Sequence, residues 1–380
     1  MPSPRSLLVP AALGAALIAP SAAHAAEGFT GVTSAGQVAT FQSDSIPGLE
    51  SRVDVSGLPS GAKIVGLDRA PAGELLALTS RGSIATLDAA TGKATMKFPA
   101  PVTSAIDPAA AVSFAVAPDG ATARIIAGGR DETVTLATGA AAPTAPALGF
   151  APGDPNAGGD PGAAVDFGTD GRLVGVSTAR GAFVRETAPG SGALSTLAAT
   201  PFPIAQPVRT TVGSDGAAYT VSDLHVGRKS APPQSRMVRF DPATGRISGQ
   251  NGVYPGQRFD AIASVGAVPD DTTKPTATFS GRTLHRHVSR GTAYYTGLGL
   301  KVSEGGQTVA SLRLGGKVVG FGLLSKYEAG RGALQLVPRK GATPLLRSAA
   351  AHHRKVVVHL TVHDWAGNQR VYDRAMSLAR

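Results

Sequence analysis

Five side chains stand at matching places in four repeated strands, and their types suit a polar site. Each repeat has a short strand and then a turn ending in glycine, at residues 65–73, 113–120, 164–171 and 209–216. Aligned on those glycines, Asp68 and Asp166 share one position, which Ala115 and Thr211 hold in the other two repeats. Two residues earlier stand Gly66, Ser113, Ala164 and Arg209. Residues two apart on a strand share a face. Asp68, Ser113, Asp166, Arg209 and Thr211 are therefore the expected lining of one channel that could bind a ligand. Paired carboxylates there can hold Ca²⁺ with backbone carbonyls, or act as acid and base. The plainer reading is turn chemistry and solvated channel walls. No His or Cys lies on these strands, so a general base there has to be an aspartate.

A second candidate is Asp154-x-Asn156-x-x-x-Asp160 in a loop rich in Gly and Pro. It offers hard oxygen ligands at short spacing, as calcium requires. It lacks the full spacing and terminal Glu of an EF-hand loop, and Asp and Asn also bond their own backbone in Asx-turns. The sequence calls for no cofactor, and calcium is the one candidate it offers. The pairs His285/His287, His352/His353 and His359/His363 raise the question of another metal. His359 and His363 are four residues apart on one strand, about 13 Å by strand rise, too far for one ion. No Gly-x-Ser-x-Gly elbow, His-Glu-x-x-His pair or Walker loop occurs. The absence of cysteine excludes disulfides, thiolate metal sites and a thiol nucleophile.

The elements that must position these residues are short strands. The four repeat glycines are spaced by 47, 51 and 45 residues. Later turns at Thr91-Gly92, Thr138-Gly139, Ser191-Gly192 and Thr244-Gly245 keep a similar period. Asp-Gly and Thr-Gly between short apolar runs are hairpin signals, because Gly adopts positive φ without steric cost. A period of 40–50 residues with three or four strands each predicts a β-propeller. Residues 29–41 read as the outer hairpin of a blade lacking its first strand, and 259–265 as a lone inner strand. Together they would complete one composite blade and close a ring of about five over 28–268, which removes exposed sheet edges. An open or two-sheet β structure is the alternative.

Residues 64–71 and 73–92, Ile-Val-Gly-Leu-Asp-Arg-Ala-Pro and Gly-Glu-Leu-Leu-Ala-Leu through Thr91-Gly92, resemble a bacterial family of exported, propeller-like repeat domains of unknown function. Residues 150–161 are similar to that family's Gly-Asp-x-Asn-Ala-Gly signature, and 124–139 to another stretch of it. The second match departs at Asp131-Glu132, where the family tends to have an amide pair. The likeness covers about 28–250. It implies an exported propeller and no reaction.

A Pro-bounded polar linker, 269–275, precedes a different kind of sequence. Period-2 alternation over 276–380 predicts a small antiparallel β-sandwich, with a turn of helix near 344–351. Asp364-Trp-Ala-Gly-Asn is similar to the hairpin turn of bacterial immunoglobulin-like modules. Charge divides the chain in the same place. Residues 272–380 hold 17 Lys/Arg against 4 Asp/Glu, whereas the rest holds 19 against 22. The whole-chain net of +10 therefore belongs to the C-terminal part. Its few aromatics, Tyr294, Tyr295, Tyr327, Trp365 and Tyr372, form no stacking motif, which argues against nucleic acid. Residues 1–25 read as a cleaved signal peptide: Arg5, an apolar run over 7–18, then Ala23-His24-Ala25. No transmembrane segment is expected in the mature chain.

The sequence thus predicts an all-β, secreted or envelope-associated protein. In this reading the propeller presents a ligand or protein surface, and the basic domain associates with anionic envelope polymers or an extracellular protein. Simple solubility is the competing account of the charge. The rival function is a calcium-dependent hydrolase or lactonase working in the channel.

Overall fold

The computed structural model describes residues 26–43, 51–142, 146–201, 203–223, 235–253, 258–269, 271–289, 292–326 and 329–379. Residues 1–25, read above as a signal peptide, and Tyr327 lie outside the described residues. Among the described residues the fold is all-β apart from one helix, Thr343–Ala351.

Five sheets stand around one axis. Their inner strands are Phe259–Val268 (blade 1), Ile64–Arg69 (blade 2), Val112–Val116 (blade 3), Ala163–Phe167 (blade 4) and Ala205–Val212 (blade 5). Each inner strand touches the next, and the strand of blade 5 touches that of blade 1, so the ring is closed. Closure joins the two ends of the propeller. Ala26–Thr33 and Phe259–Val268 pair antiparallel, from Ala26 opposite Val268 to Thr33 opposite Phe259. Blades 1, 2 and 5 have four strands. Among the described residues blade 3 has three, and blade 4 has five because Gly149–Phe150 pairs parallel to Ala193–Ala199.

The repeat glycines do what their turns require. Gly73, Gly120, Gly171 and Gly216 have φ between 71° and 93°, a region where an L side chain is strained. Apolar clusters fill the spaces between blades. Phe29, Phe41, Tyr219 and Phe259 hold blade 1 to blade 5, and Phe183 meets Phe240 at 4.3 Å between blades 4 and 5.

The C-terminal domain is a second β unit with its own core around Leu298, Leu312, Leu334, Leu346 and Leu360. Its eight strands form one continuous sheet. Thr292–Val302 pairs with both Thr283–Ser289 and Gly330–Pro338, which joins the sheet into a seven-strand ring. A two-sheet immunoglobulin-like sandwich would leave those edges apart. One pairing, Thr283–Ser289 with Gln369–Leu378, is parallel; the others are antiparallel. The helix is longer than the single turn expected, and it lays Leu346, Ala349 and Ala350 against the core.

Candidate functional site

The five predicted channel residues lie in the central ring and are all at most 9 % exposed. They meet there as links between neighbouring blades. Asp68 Oδ2 accepts the Val116 N–H at 2.5 Å, joining blade 2 to blade 3. Asp166 Oδ2 accepts the Val212 N–H at 2.9 Å, joining blade 4 to blade 5. Thr211 Oγ1 accepts the Ser264 N–H at 3.0 Å, joining blade 5 to blade 1. Ala115 holds this position in blade 3 and has no acceptor. Ser113, two residues upstream, replaces it by accepting the Val165 N–H at 2.7 Å. At four of the five junctions between inner strands, one side-chain oxygen thus satisfies a backbone N–H that the next strand leaves unpaired, as buried polar groups demand.

Arg209 occupies the axis itself. Its Nε donates to the carbonyls of Val65 (2.7 Å) and Asp260 (2.6 Å), its Nη1 to those of Ala110 and Val208, and its Nη2 to that of Pro108. One guanidinium therefore gathers carbonyls from blades 1, 2 and 5 and from the segment entering blade 3. Burial draws its pKa down to about 10, so it stays charged at neutral pH.

Burial acts the other way on the aspartates. It holds Asp166 up at about 7 against the lowering pull of its N–H partners. It also raises Asp68, with the negative charge of Asp166 adding to the effect. The second oxygen of each carboxylate accepts the N–H of its own following residue, Arg69 or Phe167.

The loop residues separate. Asp154 accepts the Thr196 N–H at 2.6 Å, the Thr196 hydroxyl at 2.9 Å and the Asn156 N–H at 2.8 Å. Asn156 Nδ2 donates to the same hydroxyl. This pair caps an outer strand of blade 4, while Asp160 makes its own Asx-turn to Gly162. His359 bonds Asp373 at 2.8 Å, and His287 stacks on Tyr294.

Several polar residues of the ring were missed in the sequence. Glu27 accepts from the Ser214 N–H, the Ser214 hydroxyl and the Ser264 hydroxyl, locking blade 1 to blade 5. Arg124 pairs in bidentate fashion with Asp131 (2.8 and 2.7 Å) and donates to the Pro146 carbonyl. An Arg inside the apolar strand Thr122–Ala127 was the available signal. Asp260 is 4 % exposed, and its Oδ1 has no hydrogen-bond partner. It borders a cleft of about 400 Å³ that also contains Lys63. A second cleft, about 290 Å³ and bounded by Arg130, Asp131 and Asp160, opens at the same end of the inner strands.

Over residues 37–263 the sequence matches the model of a domain of unknown function, DUF4394. The chain belongs to this family. The DUF4394 match runs from the second strand of blade 1 to the strand that closes the ring. No curated protein matches the chain in sequence. Among solved structures it is similar to a protein of unknown function from Bacteroides caccae, at 11% identity over 93% of this chain and 94% of that one, TM-score 0.35. It is also similar to the extracellular domain of a putative hybrid two component system from B. thetaiotaomicron, at 9% identity over 93% and 57%, TM-score 0.32. Virginiamycin B lyase from Staphylococcus aureus is a third, at 14% identity over 82% and 94%, TM-score 0.31. Among the described residues no helix is long and apolar enough to cross a membrane.

Proposed function

We propose that this chain is an exported, non-enzymatic binding or structural protein. The propeller presents a surface to a ligand or protein, and the basic C-terminal domain associates with anionic cell-envelope polymers. One observation carries the reading. Among the described residues every large, exposed hydrophobic side chain lies in the C-terminal domain, the domain that also holds the excess of cations.

Five of the eight are ordered by strand register. Leu323 stands opposite Val309, Val309 opposite Thr361, and Thr361 opposite Val371. In the next row Phe321 stands opposite Val337. Phe321 is 49% exposed and Leu323 60%. Arg339 lies over the Phe321 ring at 5.6 Å. Arg313 and Arg331 share the outward parity of these strands. A patch that mixes apolar and cationic groups is suited to contact, and its ionic part to an anionic polymer. The export leader expected at 1–25 places such polymers within reach.

The rival reading, a calcium-dependent hydrolase or lactonase, needs Asp68 and Asp166 open to substrate. Both are buried, with both oxygens accepting backbone N–H groups. That arrangement suits a structural link better than a catalytic dyad. Two measurements test the proposal. Cosedimentation with purified cell walls should be strong at low salt and fall steeply as ionic strength rises. Ester and lactone hydrolysis should stay at background with calcium or chelator. Calcium-dependent turnover lost in Asp166→Asn would overturn the proposal, as would wall binding that ignores salt.

A further inference from the structure

Three acidic residues far apart in sequence meet at one end of the C-terminal domain. Asp271 lies in the linker, Glu304 in the turn after Thr292–Val302, and Asp364 ends the strand Val356–Asp364. A carboxylate oxygen from each lies within 4.8 Å of the others. Backbone pairing brings them together. Gly306 stands opposite Asp364 in the ladder. A Cβ at 306 would lie 1.9 Å from the His363 carbonyl oxygen, so the close approach needs glycine. Asn368 then fastens the linker by donating from Nδ2 to the Asp271 carbonyl at 2.7 Å.

One oxygen of each carboxylate is engaged. Asp364 Oδ1 accepts the Asn368 N–H, Asp271 Oδ1 accepts the Thr273 N–H, and Glu304 Oε1 bonds the Ser303 hydroxyl. Asp364 is 6 % exposed, and its Oδ2 is buried with no hydrogen-bond partner. A buried, unpartnered carboxylate oxygen beside two more carboxylates is unfavourable unless a cation joins it.

We propose that Asp271, Glu304 and Asp364 form a calcium site that pins the linker to the C-terminal domain. The donors are all oxygen, which selects a hard cation over zinc or copper. Two oxygens each about 2.4 Å from one ion stand at most about 4.8 Å apart, so the spacing of these carboxylates admits calcium. Magnesium, at about 2.1 Å, spans less and demands a stricter octahedron. Backbone carbonyls and water would complete the shell. This site is separate from the Asp154 loop and from the propeller ring.

The chain carries its own probe, because its single tryptophan, Trp365, adjoins Asp364. Terbium substitutes for calcium and emits when a nearby indole transfers energy to it. The full chain, stripped with chelator, should take up one calcium per molecule in equilibrium dialysis, with its melting transition raised. Terbium emission excited through Trp365 should appear and be displaced by calcium at lower concentration than by magnesium. The double variant Glu304→Gln, Asp364→Asn should lose both signals while keeping its far-UV circular dichroism. Asn at 364 retains an oxygen for the Asn368 N–H, so folding should survive. Asp154→Asn should bind calcium as the parent does. No uptake by the parent chain, unchanged uptake by the double variant, or equal preference for magnesium would each overturn the assignment.

Discussion

Arg209 shows how one residue type can be read in two ways. In the sequence it is a charged side chain aimed into a channel. In the fold it is buried among the inner strands and donates to five backbone carbonyls. Arg209→Met should therefore destabilise the propeller by about 3–5 kcal/mol in denaturant melts, because it leaves those buried acceptors without their donor. An unchanged midpoint would refute this role. Asp166 makes a pH prediction. Its native pKa of about 7 lies above its ordinary 3.8. Between those values the native state binds more protons than the unfolded chain, so stability falls as pH rises through that window. The loss is at most about 4 kcal/mol, and Asp68 acts in the same direction. Melting temperatures from pH 4 to 7 should decline, and Asp166→Asn should flatten the slope. A rise across that range would contradict the sign. The positions of these residues were legible from the glycine alignment. Their partners were not, since each bond crosses to a strand about 50 residues away and ends on a backbone N–H that carries no sequence signature.

At the scale of elements, turn chemistry made the repeats readable. Gly92, Gly139, Gly192 and Gly245 all have φ of 68–74°, as the Thr-Gly and Ser-Gly turns predict. The composite blade was equally legible, because a propeller edge left open would expose unpaired strands. Its closure rests on Phe259, which is 1 % exposed and packs 5.3 Å from Phe41. Phe259→Ala should cost about 3–5 kcal/mol and uncouple Ala26–Thr33 from the ring, read as loss of amide protection in that strand. Protection equal to the parent's would count against the closure. Blade 4's extra strand was not readable, since two residues, Gly149–Phe150, show no periodicity. In the C-terminal domain the alternation gives six of the eight strands and misses the four-residue Ala277–Ser280 and Thr283–Ser289. In the latter, burial is confined to Leu284, with the rest exposed or half-buried, so the period-2 signal is weak there.

On the scale of the whole molecule the charge division sets the expectation. A ring closed by its own polar side chains is joined to a domain whose outer sheet carries the cations and the exposed apolar groups. The boundary in composition was legible in the sequence. The acidic trio at the joint was hidden, because its members lie 33 and 60 residues apart and only the fold brings them together. The central claim is that binding belongs to the outer face of the basic domain. The most direct test is wall cosedimentation of the triple variant Arg313→Glu, Arg331→Glu, Arg339→Glu beside Asp166→Asn, at low salt. The account predicts at least a tenfold loss of binding for the triple variant and none for Asp166→Asn while that variant is folded. Equal binding by the triple variant and the parent chain would contradict it.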